Sequence, residues 1–208
     1  MSAAGGSVSR WGREQRAAAR RGPWRLLLAW LGLSRAARRA DARAAACEAG
    51  AVGEQRTAVL LQALEARGWV VLHDRAIPGA RSANADHVLI SPGARVFLVD
   101  SKLWSGQWPV HGEGGRLWHG RAARDQSVRS VRYEAGLVGR AVGVDVQPVI
   151  AVHNAAVDGG GFVVEGVPVV PADRLVEVLA GNDRPRRPGA VRLAERAAVV
   201  LPEYPGGP

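Results

Sequence analysis

Lysine is almost missing from this chain. Of its 28 basic residues only Lys102 is a lysine, and the other 27 are arginines. Most cationic positions therefore accept a guanidinium. The single ammonium marks a place where a compact, titratable cation is useful, because lysine shifts its pKa on burial and arginine does not. Cysteine is as scarce. Cys47 stands alone, which excludes an intramolecular disulfide and fits a reducing, cytoplasmic setting. The five histidines have no zinc-ligand spacing, and one cysteine cannot complete a site for them. Long apolar runs are also missing. The segment Trp24–Leu33 covers ten residues, about 15 Å of helix, where crossing a bilayer takes roughly 20 residues. Basic residues precede it and no small-x-small cleavage site follows, so it reads neither as a spanning helix nor as a signal peptide. It suits a helix packed on the body or on another subunit, or a peripheral membrane anchor flanked by arginines. Gly159-Gly160-Gly161 precedes a strand pattern and is no phosphate cradle. No Ser-His-Asp elbow is present.

What the chain does hold is an uneven charge. Residues 1–50 carry ten arginines against Glu14, Asp41 and Glu48, and the remaining residues carry 18 cations against 16 acids. A strongly basic arm on a nearly neutral body points to a polyanionic partner, nucleic acid or an anionic membrane. The pattern divides the 208 residues into a basic extension over 1–49, a central domain over 50–180, and a C-terminal helix with a Pro/Gly tail over 181–208. Residues 35–67 read as helix, with an interruption near Gly50 and Gly53 and an apolar stripe of Val59, Leu60, Leu61 and Leu64. Strand patterns follow at 69–73, 86–90 and 96–100, then a small hairpin around Glu113-Gly114-Gly115. A helix over 125–142, a strand at 147–152, one strand or two short ones around Gly166 at 162–170, and helices at 173–179 and 190–199 complete the order. The tail from Pro202 has no core to join. This order predicts a mixed sheet flanked by helices.

The chemistry concentrates between Asp86 and Lys102. Two apolar runs flank Ser91-Pro92-Gly93-Ala94. Proline holds φ near −65°, which disfavours a two-residue hairpin loop and selects the three-residue loop Pro92-Gly93-Ala94. Residue 91 then pairs with 95, and Asp86 lies across from Asp100 on the same face, with Cβ atoms about 5 Å apart. Lys102 is two residues further along that face. Two facing carboxylates repel unless a hard divalent cation lies between them. Mg²⁺, with Mn²⁺ as an alternative ion, binds through one or two carboxylates and keeps its waters and phosphate oxygens. A neighbouring lysine can orient a water or stabilise developing negative charge. The competing reading of the same residues is a salt-bridged sheet edge.

Gly53-Glu54 on a helix, Ala85-Asp86-His87 opening a strand, and Phe97-Leu98-Val99-Asp100-Ser101-Lys102-x-Trp104-x-Gly106 together resemble the nuclease-related domain (NERD) of the PD-(D/E)xK, restriction-endonuclease-like superfamily. The resemblance spans roughly residues 50–155. It implies an α/β fold with a restriction-endonuclease-like central mixed sheet, and metal-dependent phosphodiester hydrolysis. By position it implies Asp86 and Asp100 as metal ligands and Glu54 as a ligand of the metal or its water. Lys102 would position the nucleophilic water and Gln126 would support the site. Aspartate at 100 stands where such families often carry glutamate, one methylene longer.

His87 alternates away from Asp86 and reads as a structural histidine. Trp104, Trp108 and Trp118 follow the Asp-Ser-Lys triplet closely; they suit the cover of a small hairpin, with stacking on unpaired bases as the second use. Trp104, Arg35, Arg38 and Arg39 are candidate nucleic-acid contacts. The expectation is a Mg²⁺-dependent nuclease acting on DNA. Its alternatives are a non-catalytic nucleic-acid-binding module of the same fold, and a membrane-peripheral protein anchored through residues 24–33.

Overall fold

The computed structural model describes residues 35–80 and 84–205, with side chains from residue 48 onward. The apolar segment 24–33 lies outside the described residues. Arg35, Arg38 and Arg39 fall on the first helix but ahead of the described side chains.

Helix α1 runs unbroken from Arg35 to Glu65. The expected interruption near Gly50 and Gly53 does not occur. Gly53 instead marks where α1 passes close over the sheet, since a Cβ there would stand 3.5 Å from Leu103 Cβ. The strands β1 (Val70–Ala76), β2 (Asn84–Ile90) and β3 (Val96–Leu103) follow as an antiparallel meander. A three-stranded side sheet comes next, of β4 (Val110–Glu113), β5 (Arg116–His119) and the short β6 (Ala122–Ala123). Gly114 and Gly115 both take positive φ in the β4–β5 turn, the combination a two-residue hairpin of matching twist requires. Helix α2 (Asp125–Val142) then leads into β7 (Val146–His153). The pair β8 (Phe162–Val164) and β9 (Val167–Pro171) turns at Glu165-Gly166. Helices α3 (Leu175–Gly181) and α4 (Gly189–Val200) close the chain.

The main sheet has the order β1-β2-β3-β7-β9-β8. β3–β7 and β7–β9 are parallel and the flanking pairs antiparallel, so the expected mixed sheet between helices is present. Alternation along the strands splits the core into two. Leu61, Leu64, Leu175 and Leu179 cover one face over Leu89, Phe97 and Val99. Val131, Val138, Leu193 and Ala197 cover the other over Val88, Ile90, Val96 and Leu98. Helix α4 is therefore part of the same body. The tail also finds a place: Ala76 N–H donates to Pro202 O and Tyr204 N–H to Asp74 O, at 2.9 and 2.8 Å. The edge strand β1 has free backbone groups there, and they draw the tail in.

The β2–β3 register is the one the three-residue loop demands. His87 pairs with Val99, Val88 with Leu98 and Ile90 with Val96, while Ser91 N–H donates to Arg95 O at 2.9 Å. The left-handed position of the loop is taken by Ala94, at φ 60°, not by Gly93. Gly93 serves another need. A Cβ on it would collide with the backbone of Arg184 and the carboxylate of Asp183, where the 182–184 loop closes on the hairpin.

Candidate active site at the end of the central hairpin

At the mouth of the β2–β3 hairpin the ladder stops at His87–Val99, and side chains take over. Asp86 Oδ2 accepts from Ser101 N–H at 3.1 Å. Lys102 Nζ donates to Asp100 Oδ1 at 2.6 Å, with 29% of the lysine side chain and 11% of the aspartate exposed. Strand alternation places Asp86, Asp100 and Lys102 on the face covered by α2. Burial pushes the Asp86 carboxyl well above its ordinary range, and the nearby Asp100 and Glu54 add to the rise; Lys102 and the Ser101 amide oppose it. Burial works against the Lys102 ammonium, but Asp100 and then Asp86 outweigh it, and its pKa is raised. Lys102 is thus protonated at neutral pH.

Glu54 arrives from α1 and is buried. Its carboxyl is pushed up to about 7, first by burial, then by Asp74 and Asp100, with Lys102 pulling the other way. Asp74 is itself buried and holds Asn84 Nδ2 at 2.7 Å. Sequence reading did not single it out.

α1 is pinned to the site by hydroxyls. Ser101 Oγ donates to Thr57 Oγ1 at 2.9 Å, and Thr57 Oγ1 lies 2.7 Å from His153 Nε2. Burial, followed by Arg56, lowers the His153 pKa. A neutral ring can accept the Thr57 proton, and the three groups form one directional relay. Ser101 and Thr57 thus join β3, α1 and β7 behind the Asp-x-Lys triplet. Thr57 follows Glu54 by one helical turn.

Gln126 does not enter the site. It is exposed on α2, where it bonds Ser130 Oγ at 3.2 Å and accepts from Arg129 at 3.0 Å. The buried stripe of α2 is Val128, Val131, Ala135 and Val138, and position 126 points away from it. The residue α2 does bring is Glu134. It is pushed up to about 7 by burial and then by Asp100, with Lys102 pulling it down. The signal was present in the sequence: Glu134 stands three after Val131 and four before Val138, an acid on the apolar stripe.

His87 faces away from Asp86, as alternation predicts. It is fully buried, and its Nδ1 lies 2.8 Å from His73 Nδ1. Burial, then His73 and His153, lowers its pKa to about 3. Trp104 is half-buried. It stacks on His119 at 5.5 Å, and the Arg124 guanidinium lies over it at 5.6 Å.

The donor set of Glu54, Asp86 and Asp100 is all carboxylate oxygen, the chemistry Mg²⁺ prefers. The carboxylates of this cluster add to the rise that burial begins at Asp86 and at Glu54. Among the described residues no group of three or more His, Cys, Asp or Glu side chains is arranged to hold a metal ion as it stands. A hydrated Mg²⁺ needs only one or two of them. A groove of about 820 Å³ lies elsewhere, along α2 between Arg132 and Gly166, and none of these residues lines it.

No curated protein and no solved structure matches the chain. The family model described as the nuclease-related domain matches residues 49–153, a span holding Glu54, Asp86, Asp100, Lys102 and Glu134. The chain therefore belongs to the nuclease-related domain (NERD) family, within the general context of the PD-(D/E)xK superfamily.

Proposed function

We propose that this protein is a metal-dependent nuclease that hydrolyses phosphodiester bonds of DNA. The observation that carries the reading is the gathering of Asp86, Asp100 and Lys102 on one sheet face, with Glu54 in electrostatic contact from α1. Asp86 and Asp100 would hold Mg²⁺ or Mn²⁺, with Glu54 on the ion or its water. The bound ion would supply charge neutralisation on the phosphate and a lowered water pKa. Lys102, being protonated, serves as a hydrogen-bond donor and charge stabiliser for the phosphate oxygens or the water, not as a base. The basic first 50 residues would add phosphate contacts that weaken with salt.

The direct Lys102–Asp100 ion pair also favours a second reading, a nucleic-acid-binding module without turnover. Incubating the full chain with supercoiled plasmid and single-stranded DNA, in Mg²⁺, Mn²⁺ or EDTA, separates the two. Cleavage that needs the metal and vanishes in the Asp100→Ala, Lys102→Ala double variant supports the nuclease. Cleavage persisting in that variant overturns the site. Salt-sensitive binding without cleavage in either metal selects the second reading.

A further inference from the structure

The strand that carries Lys102 runs directly into a second feature. After Leu103 the chain passes Trp104 and Ser105 and reaches Trp108, before entering the β4–β5–β6 sheet. Trp104 O accepts from Asn154 Nδ2 at 3.2 Å, and His119 Nε2 lies 2.9 Å from Ser105 O, so this connection is tied to both sheets. A groove of about 750 Å³ opens here, lined by Ser105, Gln107, Trp108, His119, Arg121 and Arg124. Among the described residues no carboxylate lines it.

Trp108 is 57% exposed, which is unusual for a tryptophan. Yet it is held in place. A Cβ on Gly120 would stand 2.9 Å from Trp108 Cβ and Cγ and 3.2 Å from Cδ2. The indole thus lies directly on the Gly120 backbone, which the positive φ of 56° also reserves for glycine. One side of the indole is seated and much of the remainder is open to solvent. Arg121 is exposed beside it. Arg124, fixed over Trp104, has a buried Nε without a hydrogen-bond partner among the described residues.

The geometry points to a subsite for single-stranded nucleic acid, with Trp108 as the stacking platform for an unpaired base and Arg121 and Arg124 contacting the adjoining phosphates. A seated, half-open indole beside cations and without acids matches how single strands are gripped without sequence preference. This deepens the nuclease reading, since it names the substrate form that the site after Lys102 would receive. It also moves the stacking role from Trp104, which is covered, to Trp108.

The test is fluorescence anisotropy with a labelled oligothymidylate of about 12 nucleotides and a duplex of equal length, in EDTA at low salt, so that turnover plays no part. Trp108→Ala is expected to weaken single-strand binding by about 5- to 100-fold, with Trp108→Phe recovering most of it. Duplex binding should change by no more than about twofold, because paired bases cannot stack on the indole. Arg121→Ala should weaken both and lower the salt slope by about one. Single-strand binding unaltered in Trp108→Ala, or absent from the parent protein, overturns the subsite. So does a Trp108→Ala defect seen only in flotation with phosphatidylserine vesicles, which would make this a membrane contact. Loss of cleavage in the Asp100/Lys102 variant with no stacking defect in Trp108→Ala would leave the nuclease standing and remove the subsite alone.

Discussion

Lys102 and Asp100 are bonded to each other at 2.6 Å across a single residue, Ser101, whose own hydroxyl turns to the opposite side of the sheet and meets Thr57. One strand thus presents its charged pair to one layer and its anchor to the other. The lysine is a compact point charge on a flexible four-carbon stem, a geometry a planar guanidinium cannot reproduce. Lys102→Ala is expected to lower the metal-dependent cleavage rate by about 100-fold or more, and Lys102→Arg should restore little of it. Recovery by arginine to near the parent rate, in a plasmid-nicking time course, would show that charge alone matters.

Stability should respond to pH through buried acids. Glu54 and Glu134 are both pushed up to about 7, first by burial, from an ordinary value of 4.5. A carboxyl raised on folding binds its proton better in the folded state. Its stabilising share is complete below pH 4.5 and is lost as pH rises through about 7. His87 acts oppositely: lowered from 6.5 to about 3, it removes stability as pH falls below 6.5. The two trends compete between pH 4.5 and 6.5. Between about pH 6.5 and 7.5 only the acids remain, and Tm should decline. The Glu54→Gln, Glu134→Gln double variant should flatten that decline in a thermal scan without divalent ions.

The same groups set when a cation helps. Ligands must shed their protons to bind metal. Mg²⁺ is therefore expected to raise the parent Tm at pH 8 and to have little effect at pH 5. An equal rise at both values, or in an Asp86→Asn variant, would place the ion elsewhere.

Thr57 is fully buried and serves two partners at once. Thr57→Val keeps the shape but strands the Ser101 hydroxyl and the His153 ring nitrogen. A loss of about 1–3 kcal/mol in urea unfolding is expected. Ser101→Ala removes one bond and leaves Thr57–His153 intact, so it should cost about 1 kcal/mol.

Gly93→Ala should be costly for a reason unrelated to φ. The new methyl meets the Arg184 backbone and the Asp183 carboxylate, which also holds Ser91 Oγ. A destabilisation of about 1–3 kcal/mol is expected. Ala94→Gly, at the left-handed position of the same loop, should be neutral or stabilising.

Much of this arrangement was legible in advance. The proline at 92 selected the loop length, the loop length set the register, and the register brought Asp86 to Asp100; each step is local and follows from backbone geometry. The span of α2 was equally local, while the sequence left 162–170 open between one strand and the two that turn at Glu165-Gly166. Gln126 was carried over from the family resemblance; here its exposed side chain bonds Ser130 and Arg129, because the direction of a side chain depends on which stripe is buried. Glu134 stood out in the sequence as an acid on the apolar stripe of α2, but its role, like that of Asp74, is defined only once the opposite wall is known.

The sequence by itself determined the strand and helix periods, the hairpin register and the isolation of one ammonium among arginines, all set by interactions within a few residues. Only the tertiary structure decided that Glu54 comes from α1 into electrostatic reach of Asp100, that α2 supplies Glu134, that the tail pairs with β1, and that Trp108 is open while Trp104 is half-buried. Those contacts join residues distant along the chain, and their outcome depends on how two sheet faces are buried together.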